Sequence, residues 1–437
     1  ATKALSTQFF ADANCVPALV HIIQTSAQKE IRQLAAVELR KQITNWWAKL
    51  DLEVRTNTKA KLLEIILNEQ EPLPRHSTAR VIATVGRIEI PANTWNELLA
   101  FLFQCSNGAN AGHREVGVYV IYAIFEDPES QIVRITTVQA LGKMADFIEE
   151  DQKDEIAMFS ELVPHMVNVL QQCLNDSDEE SAAKCFDVFD TLLLLEIPIL
   201  SKHVQNLIQF FLSIGANKTF EPVMRVQALS FIMWAIVYKK TKIQRLKLVG
   251  PMIQQLMPIA AEEEPEDSDE DSPARLAFKV INTLATNLPP QQVFPVALEG
   301  ILAYMANADP LFRKAAMVTL AVLVEGSVDF IRPKFNELLL IVCAGLQDPE
   351  ANVRRAACMA LSSFAEEFDE VAENHATLLP LVFNLMNEPT PEITKQACNA
   401  LDAILEGLGE NILQYLAELM QKLLIMLDNA QGETRAI

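Results

Sequence analysis

The chain has 437 residues, with 36 basic against 57 acidic side chains, a formal net charge of −21, and half of its residues are hydrophobic. Clustered Lys and Arg are what hold a nucleic-acid backbone, so this balance argues against direct nucleic-acid binding and favours basic partners. With 13 Gly against 21 Pro, and only 5 Tyr and 4 Trp, the composition is poor for a turn-rich β protein. It suits helices joined by short corners, and the first prediction is an all-α fold.

The cysteines and the chain start point to a soluble intracellular protein, or to a fragment of one. Seven cysteines lie far apart and none forms a Cys-x-x-Cys pair, so neither a disulfide framework nor a zinc site is predicted. The six histidines show no metal-ligand spacing, and we expect no cofactor. No apolar signal segment follows Ala1, and no run of 18 or more apolar residues without a charge occurs, so membrane insertion is not expected.

One pattern of apolar residues at helical spacing recurs along the chain; we call it the anchor frame, its first residue the anchor and its helix the anchor helix. Its clearest copy follows Asp348-Pro349, where apolar residues from Val353 to Phe364 fall on one stripe of a helix. In chain order, the copies begin at the anchor residues Ile31, Pro74, His113, Val133, Ala182, Met224, Ala274, Phe312, Val353 and Ile393. A period near forty residues is typical of stacked helix pairs of the HEAT or armadillo kind. The sequence therefore predicts a HEAT-repeat, right-handed superhelical solenoid of antiparallel helix pairs, with about ten repeats in one continuous array over 1–437.

Two steps between anchors depart from the period. The step from His113 to Val133 is about half a period, which predicts a missing helix and a chain break at Glu126–Asp127. The step from Met224 to Ala274 is about ten residues too long. This second interval contains an acidic loop insertion at 262–271.

Eight of the ten residues in this acidic loop are acidic. Like charges at such spacing repel, so we expect a solvated loop that faces the concave side and becomes ordered by a basic partner. A purely solvated linker remains the alternative. The predicted partner-binding residues are Glu262, Glu263, Glu264, Glu266, Asp267, Asp269, Glu270 and Asp271.

An Arg follows the first apolar residue in most copies of the frame. We expect a structural ladder, in which each guanidinium bonds an Asp or a carbonyl of the adjacent repeat. Its members are Arg32, Arg134, Arg225, Arg313 and Arg354.

The first anchor helix, Ile31–Ile43, reads IRQLAAVELRKQI and is followed by two Trp residues. It resembles the N-terminal signature of the importin-β (karyopherin-β) family, with residues 1–50 as the importin N-terminal-type repeat. The acidic loop followed by Ser272–Arg275, and later Asn282–Pro290, is similar to the acidic-loop repeat of the branch that imports ribosomal proteins and core histones. Family members are longer, so the chain resembles their N-terminal portion. The signature residues are Arg32, Ala35, Ala36, Leu39 and Arg40.

The resemblance implies a monomeric, non-enzymatic receptor that shuttles between cytoplasm and nucleus through the nuclear pore. Such a receptor holds basic cargo, contacts Phe-Gly nucleoporins, and releases cargo when Ran-GTP binds the N-terminal repeats. The implied Ran-GTP site comprises the anchor helices around Ile31–Ile43, Arg75–Arg87 and His113–Phe125, with the acidic loop as a second contact.

No enzyme motif of the GxxxxGK[ST], GxGxxG, GxSxG or HExxH type occurs in the sequence. The alternative function is therefore another binding role, a static HEAT-repeat scaffold such as the structural subunit of a protein phosphatase. Such a scaffold would share the Asp-Pro…Val-Arg frame, but it would have more uniform repeats and would lack both the N-terminal signature and the acidic insertion.

Overall fold

The computed structural model describes residues 9–90, 92, 94–106, 113, 116–117, 119–121, 123, 131–145, 148–264 and 271–429. Every regular element within these residues is a helix, and they contain no β-strand. The chain falls into two compact units, Ala1–Lys202 and His203–Ile437. One continuous array across both units stays a prediction, and the predicted break at Glu126–Asp127 lies outside the described residues.

The first unit is built of helix pairs. Its helices are α1 (Cys15–Thr25), α2 (Lys29–Trp46), α3 (Leu52–Asn68), α4 (Pro72–Glu89), α5 (Asn96–Ser106), α6 (Gln131–Ala145), α7 (Lys153–Ser160), α8 (Val163–Asn175) and α9 (Glu179–Leu194), with 3-10 turns at Trp47–Lys49 and Ile199–Lys202. Helix α1 packs against α2, α3 against α4, and α8 against α9. The anchor helices also stack on one another, α2 on α4 and α6 on α9. This is the packing expected of consecutive repeats.

The second unit repeats the same arrangement. Its helices are α10 (Val204–Ala216), α11 (Pro222–Arg245), α12 (Val249–Ala260), α13 (Pro273–Asn287), α14 (Pro290–Met305), α15 (Pro310–Ile331), α16 (Phe335–Leu346), α17 (Ala351–Glu367), α18 (Glu370–Glu373), α19 (His375–Leu385), α20 (Pro391–Leu408) and α21 (Leu416–Asn429), with 3-10 turns at Arg332–Lys334 and Gly409–Gln414. The predicted anchors Met224, Ala274, Phe312, Val353 and Ile393 lie in α11, α13, α15, α17 and α20. These five anchor helices stack in chain order.

Local sequence explains where these anchor helices begin. Proline fits the first turn of a helix, because the N–H that it lacks would have no partner there. Ser272 caps α13 by accepting a hydrogen bond from the N–H of Arg275, and Asp309 caps α15 by accepting one from the N–H of Leu311. The helices that begin at a proline include those starting at Pro222, Pro273, Pro310 and Pro391.

Small residues let neighbouring anchor helices approach closely. Ala315 and Ala316 of α15 and Ala357 of α17 are fully buried, and these two helices pack against each other. At Gly326 in α15, a Cβ atom would collide with the backbone carbonyl of Ala285 in α13. Close stacking buries the apolar stripes, which a single helix pair could not cover alone. Among the described helices, none combines the length and apolar character needed to cross a bilayer.

Candidate partner-binding surfaces

The N-terminal signature residues divide into packing residues and surface residues. Ala35, Ala36 and Leu39 of α2 are buried, and α2 packs against α1 and α4. Arg40 is exposed. The three apolar residues therefore form the core of the first helix pair, and they cannot contact a partner directly.

The exposed face of α2 carries apolar residues that a partner could reach. Leu34 is 62% exposed, Ile31 is 43% exposed and Val37 is 36% exposed. Their spacing of three residues places them along one face of the helix. The predicted anchor Ile31 is therefore at the surface rather than in the core, because the residues of α2 that are buried run from Ala35 to Ile43.

The arginine ladder is confirmed at Arg32. Its Nε and Nη2 atoms donate to the two carboxylate oxygens of Glu69, at 2.7 and 2.9 Å, and Nη1 donates to the carbonyls of Ser26 and Ala27. Burial opposes ionisation of Glu69, but the bonds from Arg32 and from the N–H of Glu71 outweigh it and lower the Glu69 pKa. Each such two-fold contact fixes the start of an anchor helix against the end of the following helix.

The same geometry recurs in the second unit. Arg313 donates to both carboxylate oxygens of Asp348, at 2.7 and 3.0 Å, and also to the carbonyls of Asn307 and Ala308. Arg354 donates to both oxygens of Glu388, each at 2.7 Å. These contacts link consecutive repeats and confirm the structural interpretation of the ladder at Arg313 and Arg354.

Two residues of the acidic loop belong to this internal framework. Glu262 accepts from Nη2 of Arg225 at 2.8 Å, in the position that Asp348 holds for Arg313. Glu264 accepts from Nε of Arg275 at 2.9 Å and from Nζ of Lys314 at 2.6 Å. Glu264 thereby bridges α13 and α15.

The expectation of a wholly solvated run is therefore wrong at Glu262 and Glu264. The side chain of Lys314 is only 9% exposed, and a buried cation requires a counter-charge. Burial opposes ionisation of Glu264, but the bonds from Lys314 and Arg275 outweigh it and lower the Glu264 pKa. Asp271, at the other end of the run, pairs with Lys279 at 2.6 Å.

Of the remaining predicted loop residues, Glu263 is exposed and lines a cleft of about 570 Å³ at the starts of α13, α15, α17 and α20. Arg355, Asn352 and Glu392 line the same cleft. It presents both signs of charge, which suits a polar, extended segment of a partner rather than an apolar ligand. The other predicted loop residues lie outside the described part of the chain: Glu266, Asp267, Asp269 and Glu270.

A second acidic surface was missed in the sequence. Glu325 of α15, Glu366 of α17 and Glu406 of α20 are all exposed, and each lies thirteen residues after the anchor residue of its helix. Equivalent positions of stacked repeats face the same way. We call these three residues the glutamate ladder. None of them has an ion-pair partner among the residues that the structure describes. Comparing the anchors at equal offsets would have revealed the pattern.

The cysteine and histidine side chains form no reactive or metal-binding group within the described residues. No group of three or more His, Cys, Asp or Glu there could hold a metal ion, and all seven cysteines are free. Burial raises the pKa of Cys358 to about 12, which leaves its thiol protonated and unreactive. Cys358 is buried and Cys398 is half-buried, at equivalent positions of α17 and α20.

Comparison with known proteins identifies the family. Residues 1–68 match the importin-beta N-terminal domain, 70–126 and 120–210 match IPO5-like TPR repeats, and 334–436 match the HEAT repeats of stalled ribosome sensor GCN1-like proteins. The chain is 38% identical over 451 residues to the probable importin subunit beta-4 of Schizosaccharomyces pombe, covering 98% of this chain and 42% of that protein. The chain belongs to the importin-β family.

Within the importin-β family, the similarity is to the importin-4 and importin-5 branch. Importin-4 of Mus musculus is 28% identical, over 88% of this chain and 39% of its own length. The crystal structure of Kap121p bound to Pho4p matches with a TM-score of 0.65 at 21% identity, covering 99% of this chain and 46% of Kap121p. That likeness confirms the all-α, HEAT-repeat solenoid fold. The chain spans about two-fifths of the length of the curated relatives it matches.

Proposed function

We propose that this importin-β chain is the part of a nuclear import receptor that binds Ran-GTP and contributes to holding basic cargo. The glutamate ladder carries the proposal, because three repeats present an exposed carboxylate at the same position, without an ion-pair partner in the part of the chain that the structure describes, on a chain of net charge −21. Family membership supports the transport role. It also disfavours the static scaffold, since the importin-β N-terminal domain matches residues 1–68.

The proposed Ran-GTP surface is the exposed face of α2, with Leu34 at its centre and Arg40 at one edge, continued by α4. Exposed apolar side chains beside a cation are typical of a protein-binding surface. Kap121p, whose fold this chain shares, has been crystallised with RanGTP. The acidic loop is the proposed second Ran contact.

The proposed cargo contact is the glutamate ladder. Carboxylates repeated along stacked helices fit a lysine-rich extended segment, which would pair with one glutamate per repeat and associate faster at low salt. Basic proteins such as ribosomal proteins and core histones are the proposed cargo class.

Phe-Gly nucleoporins are the third proposed partner. Leu340 on α16 is 71% exposed, and Leu302 on α14 is also exposed. Both lie on the first helix of a pair, which leaves them accessible to short aromatic motifs. Kap121p has been crystallised with Nup53p. These contacts would carry a monomeric receptor between cytoplasm and nucleus.

Coupling between Ran-GTP and cargo would follow from thermodynamic linkage. If Ran-GTP weakens cargo binding by a certain factor, cargo must weaken Ran-GTP binding by the same factor. Glu264 offers a physical route, because it joins the acidic loop to α13 and α15, and α15 carries the first residue of the glutamate ladder.

The test is a binding titration with a fluorescently labelled lysine-rich peptide. We expect the triple variant E325K/E366K/E406K to lose about a hundredfold in affinity, since three attractions become repulsions. Added Ran-GTP should displace the peptide from the unaltered chain.

The matched control is E149K/E150K/E196K, which makes the same change of net charge at exposed residues of the first unit. It should stay within about threefold of the unaltered chain. Equal losses in the two triple variants would mean that the peptide senses overall charge alone, and would refute a cargo site on the glutamate ladder.

A further inference from the structure

The helix pair α11–α12 has a charge opposite to that of the rest of the chain. No Asp or Glu occurs between Glu221 and Glu262, although 57 of the 437 residues are acidic. The forty residues between them contain six cations. Since they contribute +6 to a total of −21, the remaining residues carry −27. This is a local basic region on an acidic protein.

Five of the six cations lie within nine residues at the end of α11. The sixth, Arg225, lies in the first turn and is neutralised by Glu262. Arg225 lies in the first turn of α11 and Arg245 is its last residue, so the acidic loop that pairs with Arg225 and the basic cluster are at opposite ends of the helix. The clustered cations are Lys239, Lys240, Lys242, Arg245 and Lys247.

None of these five cations has an ion-pair partner among the described residues. Within its unit, α11 packs against α10, which carries no charged residue. It also packs against α13, whose only charged residues are Arg275 and Lys279. Burial lowers the pKa of Lys239, the expected effect on a cation that is partly removed from water without a counter-charge. The two helices that pack against α11, α10 and α13, therefore supply no negative charge to these cations.

Two exposed aromatic rings adjoin the cluster. Trp234 is 44% exposed and Tyr238 is 46% exposed, and their ring centroids are 6.1 Å apart. They are four residues apart, so they lie on one face of the part of α11 that precedes Lys239. At Lys239 the backbone leaves helical geometry, with φ −121° and ψ 24°, and this kink lies between the rings and the following cations. Two large aromatic side chains thus lie next to the cluster of cations.

We propose that this basic, aromatic end of α11 binds a short acidic segment of a partner protein, one that carries an apolar or aromatic side chain among its carboxylates. Carboxylates would pair with the cations, and the apolar side chain would cover Trp234 and Tyr238. A long polyanion such as a nucleic acid is disfavoured, because the −27 on the remaining residues would repel it. A short segment responds mainly to charges within about 10 Å, the screening distance at 0.1 M salt. The site is independent of the proposed import function.

The test uses the 437-residue chain and a fluorescein-labelled peptide of twelve residues, ten of them Asp or Glu and two of them Phe, followed by fluorescence anisotropy at about 0.1 M NaCl. We expect saturable binding that weakens as NaCl is raised. The variant K240E/K242E should bind about tenfold or more weakly, and W234S/Y238S about fivefold more weakly. All four side chains lie at the surface or half-buried, so both variants should fold, as circular dichroism would verify.

The matched control K153E/K395E makes the same charge change at two exposed, unpaired lysines of the described chain and should stay within about twofold. Equal weakening by this control would overturn the proposal, as would unchanged affinity for a peptide with both Phe replaced by Ser. Tighter binding of a twelve-nucleotide oligo-dT, lost in K240E/K242E, would identify a nucleic-acid site instead. If the chain self-associates in analytical ultracentrifugation and K240E/K242E abolishes this, the ligand of the basic cluster is the acidic loop of a second copy. That result would also overturn the proposal of a partner protein.

Discussion

Replacing Glu264 with Gln tests the idea that the start of the acidic loop is a structural bridge. The substitution keeps the shape of the side chain but removes the charge that neutralises Lys314 and Arg275. The side chain of Lys314 is only 9% exposed, so in the variant its charge would have neither a counter-charge nor much contact with water. Arg275 is about one-third exposed, so water would partly solvate its charge. We expect a loss of about 2 kcal/mol in the free energy of unfolding, less than for a fully buried pair.

The pH dependence gives the same test a second readout. The Glu264 pKa is lowered in the fold from its ordinary value of 4.5. The contribution of this carboxylate is therefore complete above about pH 4.5, and it is lost as the pH falls through the lower folded-state pKa. The stability difference between the unaltered chain and E264Q should be largest near neutral pH and should shrink on acidification.

Urea unfolding followed by circular dichroism measures this difference, and hydrogen exchange should locate it in α13 and α15. The control is E263Q, which changes the adjacent, exposed carboxylate and should alter stability by less than about 0.5 kcal/mol. Equal effects of the two substitutions, or a stable E264Q, would refute the bridge and return the acidic run to a solvated linker.

Three further predictions concern the packing of the second unit. Arg354→Lys should lower the free energy of unfolding by about 1–2 kcal/mol, because a lysine cannot make the two-fold contact, whereas Arg355→Lys should change it little; urea titration compares them. Gly326→Ala should cost about 2 kcal/mol or more through collision with the neighbouring anchor helix, while Gly250→Ala, which has room, should be neutral or stabilising in thermal unfolding. Cys358 should resist alkylation by iodoacetamide at pH 8 in the folded chain and react after denaturation; rapid labelling without denaturant would contradict its burial.

The repeat architecture could be predicted because its signals are local. The stripe from Val353 to Phe364 is read within one helix, and all its predicted residues are buried. Because the pattern repeats with a period near forty residues, the same helix is predicted at the other anchors. The arginine ladder was predictable for the same reason, since an Arg such as Arg354 directly follows the anchor residue in several copies, although its acidic partner Glu388 lies 34 residues away.

The errors arise where long-range contacts decide the environment. In the sequence, Glu262 and Glu264 belong to a run of mutually repelling carboxylates, which predicts that they are solvated. Their counter-charges Arg225 and Lys314 are 37 and 50 residues away along the chain and cannot be recognised from that run. Leu34 fits a helical stripe, but the adjoining stripe from Ala35 onward is the one that meets α1 and α4. The glutamate ladder was missed because its three residues are separated by a full repeat period and form no run of charge in the sequence. They fall at equivalent positions only when the anchor helices are aligned.

The proposed Ran-GTP binding by this chain can be measured by titrating it with Ran-GTP and with Ran-GDP in a calorimeter. We predict strong preference for Ran-GTP, and a clear loss of that affinity in Leu34→Asp but not in Leu194→Asp, a control leucine of similar exposure. Equal affinity for the two nucleotide states, or no binding of either, would contradict the claim and favour the static scaffold.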